Sequence, residues 1–114
     1  MASPKTDQFT KEENEIASFA KAISHPARIA ILNKLAEKNM CVCGEIVEVL
    51  PLSQSTVSQH LKELKEQGII QGTIDGPKSC YCINWKVLSS KLELLNNYTN
   101  TLKSLNKKIN SQCC

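Results

Sequence analysis

Near residue 68 the spacing of apolar residues changes from a helical repeat to a two-residue repeat, and this change constrains the fold more than any other feature. Residues 44–50 are strongly apolar and end at a proline, and residues 53–67 carry an apolar face at helical spacing. Residues 69–74 and 79–83 then alternate as strands do, with a turn sequence between them. This order predicts two short helices followed by a β-hairpin.

Three further helices are predicted around this segment. The first spans residues 12–23, the second runs from Pro26 to about residue 38, and the last follows Trp85. The second helix is expected to bury Ile29, Ile31, Leu32 and Leu35. Apolar residues at helical spacing are Ile16, Phe19, Ala20 and Ile23 on the first helix and, close to a 3.5-residue repeat, Leu88, Leu92, Leu95, Leu102 and Ile109 on the last.

Two short helices joined by a tight turn and followed by a hairpin form a winged helix-turn-helix, so the predicted fold is mainly α, with about five helices and a two-stranded wing. The second helix of such a pair enters the DNA major groove with its early residues at base edges. Glutamine can bond adenine, serine reads bases more loosely, and lysine meets phosphate or guanine. A solvated helix surface is the alternative, but this face is rich in short polar residues that lower helix propensity. The predicted DNA contacts are Gln54, Ser55, Thr56, Ser58, Gln59, His60 and Lys62 on this helix and Lys78 in the hairpin turn.

The length and charge of the chain are consistent with this interpretation. Its 114 residues leave room for one domain, and a net charge of +3 permits nucleic-acid binding without demanding it. We predict a flexible tail at residues 1–10, the domain at 11–110 and a cysteine-containing tail at 111–114. No apolar run has the length of a membrane span and the N-terminus lacks the apolar core of a secretory signal, so a cytoplasmic location without membrane association is expected. An enzyme is not expected, because no nucleophile–base pair or phosphate-cradling glycine loop is present.

The cysteines are the unusual part of the composition. None of their spacings is the Cys-x-x-Cys of zinc ribbons or thioredoxin-like sites. Closely spaced thiols in a reducing compartment indicate binding of soft metals or redox sensing. The six residues form three tight pairs, Cys41 with Cys43, Cys80 with Cys82, and Cys113 with Cys114.

Two runs in this sequence resemble the ArsR/SmtB family of metal-responsive bacterial repressors. The resemblance extends from about Glu12 to Tyr98. It implies a homodimer formed through the first and last helices, which represses its own operon and releases double-stranded operator DNA when a metal or metalloid binds. The two runs are Ser24-His25-Pro26-Ala27-Arg28-Ile29 and Leu52-Ser53-Gln54-Ser55-Thr56-Val57-Ser58-Gln59-His60-Leu61-Lys62.

The resemblance also implies a role for Cys41 and Cys43. In the family, a Cys-x-Cys box at the start of the first helix of the helix-turn-helix marks sensors of As(III), Sb(III), Cd(II) or Pb(II), all of them ions that thiolates select. As(III) or Sb(III) is therefore the expected inducer, with Cd(II) and Pb(II) as alternatives and no organic cofactor. Here Gly44 separates the box from the acidic residue that follows it directly in the family. A three-thiolate site would need another sulfur, either from the tail (Cys113, Cys114) or from the second strand (Cys80, Cys82).

The spacing of Cys41 and Cys43 suggests how an inducer would act. Residues two apart share one face of an extended segment but not of a helix. A bound ion would therefore favour an extended segment 41–43, oppose winding of the adjoining helix and shift DNA affinity. Cys80 and Cys82 share one strand face, with Tyr81 on the opposite face. The alternative to a ligand role is that both cysteines are small buried residues beneath the wing.

Several other interpretations remain open at the level of sequence. His25 is expected to start a helix rather than bind a metal, and His60 to brace the turn or reach a phosphate. A zinc site on the last helix is disfavoured, because residues 85–114 hold no histidine or aspartate. A redox switch that forms disulfides is the main rival to a metal sensor. A metal-buffering or interaction module that does not bind DNA is a further alternative.

Overall fold

The computed structural model describes residues 6–38, 41–43, 50–73 and 80–106. The helices are α1 (Lys11–Ala22), α2 (Pro26–Lys38), α3 (Gln54–Glu66) and α4 (Trp85–Asn106), and the strands are β1 (Val42–Cys43), β2 (Ile70–Thr73) and β3 (Cys80–Ile83). A winged helix-turn-helix fold, mainly α with a small β-hairpin, is confirmed. The helix predicted at 44–50 and the hairpin turn at 75–78 lie outside the described residues, except for Leu50.

Helix α1 begins earlier than predicted because a capping box fixes its start. The Thr10 side chain accepts a hydrogen bond from the Glu13 backbone N–H, and the Glu13 carboxylate accepts one from the Thr10 N–H, each at 3.0 Å. Residues 6–8 form a short 3-10 turn ahead of it. Ordered structure therefore reaches into the stretch predicted as a flexible tail at 1–10, of which residues 1–5 lie outside the description.

Helix α3 has well-defined ends. Ser53 caps its first turn by accepting a hydrogen bond from the Thr56 N–H at 3.3 Å. Gly68 follows its last turn at φ 77°, a left-handed conformation that glycine adopts without the penalty of a Cβ. Its N–H donates to the Lys65 carbonyl, and the Ile69 N–H donates to the Leu64 carbonyl, which satisfies carbonyls at the helix end.

The sheet has one strand more than the two-stranded wing that the sequence predicted. Its order is β1-β3-β2, with both neighbours antiparallel to β3. Gly72 on β2 lies so close to β3 that a Cβ there would collide with the backbone oxygen of Cys80. The third strand was missed because β1 is two residues long and depends on pairing with β3 rather than on its own apolar pattern.

A single apolar core joins the helices to the sheet. Ile29 was predicted on the buried face of α2 but is exposed, because the apolar stripe that α2 buries is narrower than predicted. Ala20, at helical spacing on α1, is exposed as well. Ile29 instead borders an apolar pocket shared with α4. The buried residues of the core are Phe19, Ala22, Ile31, Leu35, Val57, Leu61, Leu64, Ile69, Ile70, Tyr81, Ile83 and Leu88.

Helix α4 leaves the core after its first turns. Leu88 is buried and Leu95 packs against the core, whereas Leu92 and Leu102 are 46% and 48% exposed. Along the described residues, no helix is long and apolar enough to cross a membrane. Ile109, predicted on the same helix face, lies outside the description.

Candidate DNA-binding helix and cysteine site

Helix α3 presents a polar face because its apolar residues are spaced to face the core. Val57, Leu61 and Leu64 are fully buried, at 0% exposure each. The opposite face consists of the predicted DNA contacts. Gln54, Ser55, Thr56, Gln59 and Lys62 are exposed, and Ser58 and His60 are half-buried.

The hydroxyl groups at the start of α3 are already engaged with one another. The Ser53 hydroxyl lies 3.2 Å from that of Ser55 and 2.9 Å from that of Thr56. Among the residues that the structure describes, the Gln54, Gln59 and Lys62 side chains make no hydrogen bond or ion pair. These three side chains can therefore meet bases or phosphates without breaking an internal contact.

His60 contacts residues at the start of α2. Arg28 donates from Nε to His60 Nδ1 at 3.1 Å, and the His25 and His60 rings lie 4.4 Å apart between centroids. His25 Nδ1 accepts a hydrogen bond from the Ala27 N–H at 2.9 Å, as expected for a residue that starts a helix. Burial lowers the pKa of His60 from its usual 6.5, and the charges of His25 and Arg28 lower that pKa further. His60 thus braces α3 against α2, and its surroundings favour the neutral ring.

Hydrogen bonds join the wing to the end of α3 and to the start of α4. Lys65 Nζ donates to the Gly72 carbonyl at 2.6 Å, and the Ile69 carbonyl accepts from the Asn84 N–H at 2.9 Å. These bonds join the end of α3, strand β2 and the residue before α4. Lys78, the predicted phosphate contact in the turn, lies outside the described residues.

The two Cys-x-Cys pairs on β1 and β3 lie across from each other. The register pairs Val42 with Tyr81 and Cys43 with Cys80, and a disulfide joins Cys41 to Cys82 with a Cα–Cα distance of 4.3 Å. Cys80 is disulfide-bonded as well.

The wing cysteines are not core residues. Tyr81 and Ile83 are buried, whereas Cys80 and Cys82 are half-buried and alternate with them on the other face of β3. The alternative of small buried residues beneath the wing is therefore wrong.

The structure places the remaining predicted ligands less completely. The segment around Cys41 is extended, with Val42 and Cys43 in β1, and Cys41 itself is exposed. Cys113 and Cys114 lie outside the described residues. Among the side chains described, no group of three or more His, Cys, Asp or Glu residues is arranged to hold a metal ion.

Helix α4 carries an exposed apolar surface that includes Leu92 and Leu102, two of the apolar positions named from the sequence. An apolar pocket between α1, α2 and α4 is bordered by Phe19, Ile29 and Trp85. Beyond it, exposed apolar side chains continue along α4 at Leu92, Tyr98, Leu102 and Leu105. Contiguous exposed apolar surface of this kind is typical of protein interfaces.

A capped helix with an outward polar face, braced by α2 and followed by a wing, defines a winged-helix DNA-binding regulator. Residues 25–71 match the family model described as bacterial regulatory protein, arsR family. The chain belongs to the ArsR/SmtB family of transcription regulators.

Individual relatives cover most of the domain. The chain is 30% identical over 90 residues to the HTH-type transcriptional regulator YgaV of Escherichia coli (strain K12), and this alignment covers 79% of this chain and 91% of that protein. It is 30% identical over 82 residues to the arsenical resistance operon repressor of Staphylococcus aureus, covering 72% and 78% of the two chains. The solved structure of HlyU from Vibrio cholerae superposes with a TM-score of 0.62 at 26% identity, covering 79% and 97%.

Family membership settles the class of activity. The chain is a DNA-binding transcriptional repressor and not an enzyme, and at the level of the family such repressors respond to metals or metalloids. The alternative of a module that does not bind DNA is therefore wrong.

Proposed function

We propose that As(III) or Sb(III), bound through Cys41 and Cys43, releases this repressor from its operator. The observation that carries the proposal is the position of Cys41, which is exposed and lies on an extended segment. Its sulfur meets the sulfur of Cys82 outside the core. Accessible sulfurs that converge are the donors that soft ions require. The relative from Staphylococcus aureus that represses an arsenical resistance operon supports the same inducer.

DNA is read by α3 in this proposal. Gln54 and Gln59 bond base edges, Lys62 contacts phosphate, and Ser55 and Ser58 add looser contacts. Thr56 contributes mainly by holding the Ser53 cap, and His60 mainly by positioning the helix. Lys78 in the hairpin turn adds a phosphate contact from the wing.

The proposed functional unit is a homodimer formed through α1 and α4. The exposed apolar side chains of α4 support this assembly, because pairing two copies would remove Leu92, Leu102 and Leu105 from water. A two-fold dimer also presents two copies of α3 to successive major grooves.

The proposal is tested by fluorescence anisotropy of the reduced full-length protein on a labelled duplex from upstream of its own gene. The protein is reduced with a phosphine, because dithiol reductants would themselves bind arsenite. The phosphine is removed before the titration. We expect binding that weakens at least tenfold on addition of arsenite or antimonite. Full affinity at saturating arsenite would contradict the proposal, and release by Cd(II) or Pb(II) alone would assign the site to those ions.

A second candidate function is a redox-sensing repressor, which the Cys41–Cys82 disulfide favours. In that reaction two thiols and one hydrogen peroxide yield one disulfide and two water molecules. The redox candidate predicts release of DNA by peroxide without any metalloid, reversed by a thiol reductant. If oxidised and reduced protein bind the duplex equally well, this candidate fails and the metalloid proposal stands.

A further inference from the structure

Strands β1 and β3 bring cysteines from two distant parts of the chain to facing positions. Cys43 pairs with Cys80, so the same antiparallel register sets Cys41 opposite Cys82. The Cα–Cα distance of 4.3 Å between Cys41 and Cys82 is close to the spacing of about 4.5 Å in a non-hydrogen-bonded antiparallel pair. In such pairs the side chains are closest, and the disulfide shows that these two sulfurs meet.

The sulfur of Cys82 lies where a ligand can reach it. Tyr81 and Ile83 point into the core, which leaves Cys82 on the outer face of β3, half-buried. Cys41, its partner, is exposed. A small ligand could therefore enter between the strands without opening the apolar core.

We propose that Cys82 on the wing strand is the third sulfur ligand of the inducer site, together with Cys41 and Cys43. This inference rests on the proposed function and names the donor that the Cys-x-Cys box lacks. After reduction of the disulfides at Cys41, Cys82 and Cys80, the Cys41 and Cys82 thiols stay side by side because strand pairing holds their backbones. The three thiols each give a proton to one hydroxyl of arsenous acid, three waters leave, and three As–S bonds form with no change of oxidation state.

A site shared by β1 and β3 also has a direct route to the base-reading helix. Strand β3 pairs with β2 on its other edge, and β2 is joined to α3 by the Lys65–Gly72 hydrogen bond. An ion that bridges β1 and β3 acts on the wing, and through the wing on α3. The Cys41–Cys82 disulfide uses two of the three sulfurs that the metalloid binds, so oxidation and inducer binding exclude each other.

The assignment is tested by mapping which thiols arsenite protects in the reduced wild-type protein. The protein is saturated with arsenite, alkylated with iodoacetamide and analysed by mass spectrometry, with arsenite-free protein as control. Cleavage after Lys78 and Lys86 isolates the β3 cysteines in one peptide, in which fragmentation separates Cys80 from Cys82. We expect protection of Cys41, Cys43 and Cys82, at one arsenic per chain.

Three variants give an independent measurement of arsenic stoichiometry and affinity by native mass spectrometry. We expect Cys82→Ser to weaken arsenite binding at least tenfold. Cys80→Ser, on the same face of the same strand, and the double variant Cys113→Ser/Cys114→Ser should each change it less than threefold. Circular dichroism of each variant checks that the fold is retained, and thiol mapping of the wild type needs no variant.

The outcomes separate this inference from the proposed function. Protection of Cys113 or Cys114 in place of Cys82 would overturn the wing assignment and leave the metalloid sensor intact. An equal loss with Cys80→Ser would overturn the choice of Cys82. If arsenite protected no thiol and released no DNA, both the inference and the proposed function would fall.

Discussion

Arg28 donates a hydrogen bond from its Nε to Nδ1 of His60 across 3.1 Å, joining the first turn of α2 to the middle of α3. The same guanidinium donates through Nη1 to the carbonyls of Lys21 and Ala22, each at 3.2 Å. One side chain therefore caps the end of α1 and contacts the middle of α3. Arg28 thus links α1, α2 and α3, and the link helps to set the position of α3 against the core.

Removing this link should destabilise the protein and weaken DNA binding. We expect Arg28→Ala to lower the free energy of unfolding by about 1–3 kcal/mol, because His60 and two helix-end carbonyls lose a charged donor. Lys34→Ala is the control, since its ion pair with Glu37 is a surface i,i+3 contact worth below about 0.5 kcal/mol. Urea unfolding of both variants checks the difference, and equal losses would show that the Arg28 contacts add nothing special.

The lowered pKa of His60 predicts that stability falls in mild acid. The folded state favours the neutral ring, so the unfolded chain binds more protons as the pH drops through the usual value of 6.5. This contribution is fully present above pH 6.5, and it is lost progressively until the pH passes below the folded pKa. Urea midpoints measured between pH 7.5 and pH 5 should decline, and His60→Gln should flatten that decline. An unchanged slope in His60→Gln would rule out His60 as its source.

The cap of α3 can be separated from its DNA contacts with two serines. Ser53→Ala should cost about 1 kcal/mol of stability, because the Thr56 N–H loses its acceptor. Ser55→Ala, two residues along and exposed, should change stability by less than about 0.5 kcal/mol. Thermal unfolding monitored by circular dichroism measures both, and similar effects of the two substitutions would mean that Ser53 is no special cap.

Lys62 is expected to contact a phosphate rather than a base. Lys62→Ala should therefore weaken binding to all duplexes alike and reduce the slope of log affinity against log salt by about one. Gln59→Ala should instead cost about 1–3 kcal/mol on the operator and little on random DNA. Lys103→Ala, on the last turn of α4, serves as the charge-matched control. A loss of sequence preference in Lys62→Ala would contradict the assignment.

Local patterns in the sequence were sufficient to predict the four described helices and the two strands of the hairpin. The spacing of Val57, Leu61 and Leu64 and the cap at Ser53 define α3 without reference to the rest of the chain. Strand β1 could not be predicted in the same way, because two residues form a strand only when β3 lies beside them. The same non-local pairing brings Cys41 to Cys82, so the relation between the cysteine pairs emerged only from the fold.

The role of His60 shows a different reason for incomplete prediction. The sequence left two roles open for it, bracing the turn or reaching a phosphate, and it did not reveal that Nδ1 of the ring accepts a hydrogen bond from Arg28, a residue 32 positions earlier. Helical spacing predicts which face a residue lies on, and it does not predict which neighbour claims its polar atoms.

The central claim is that an ion bound at Cys41 and Cys43 controls affinity for DNA. The most direct test is the ratio of duplex affinities without and with saturating arsenite, measured by anisotropy for the reduced wild type and for Cys43→Ser. The account predicts a ratio of at least ten for the wild type and a ratio near one for the variant. Equal ratios in the two proteins would contradict it, because release of DNA would then not depend on this cysteine.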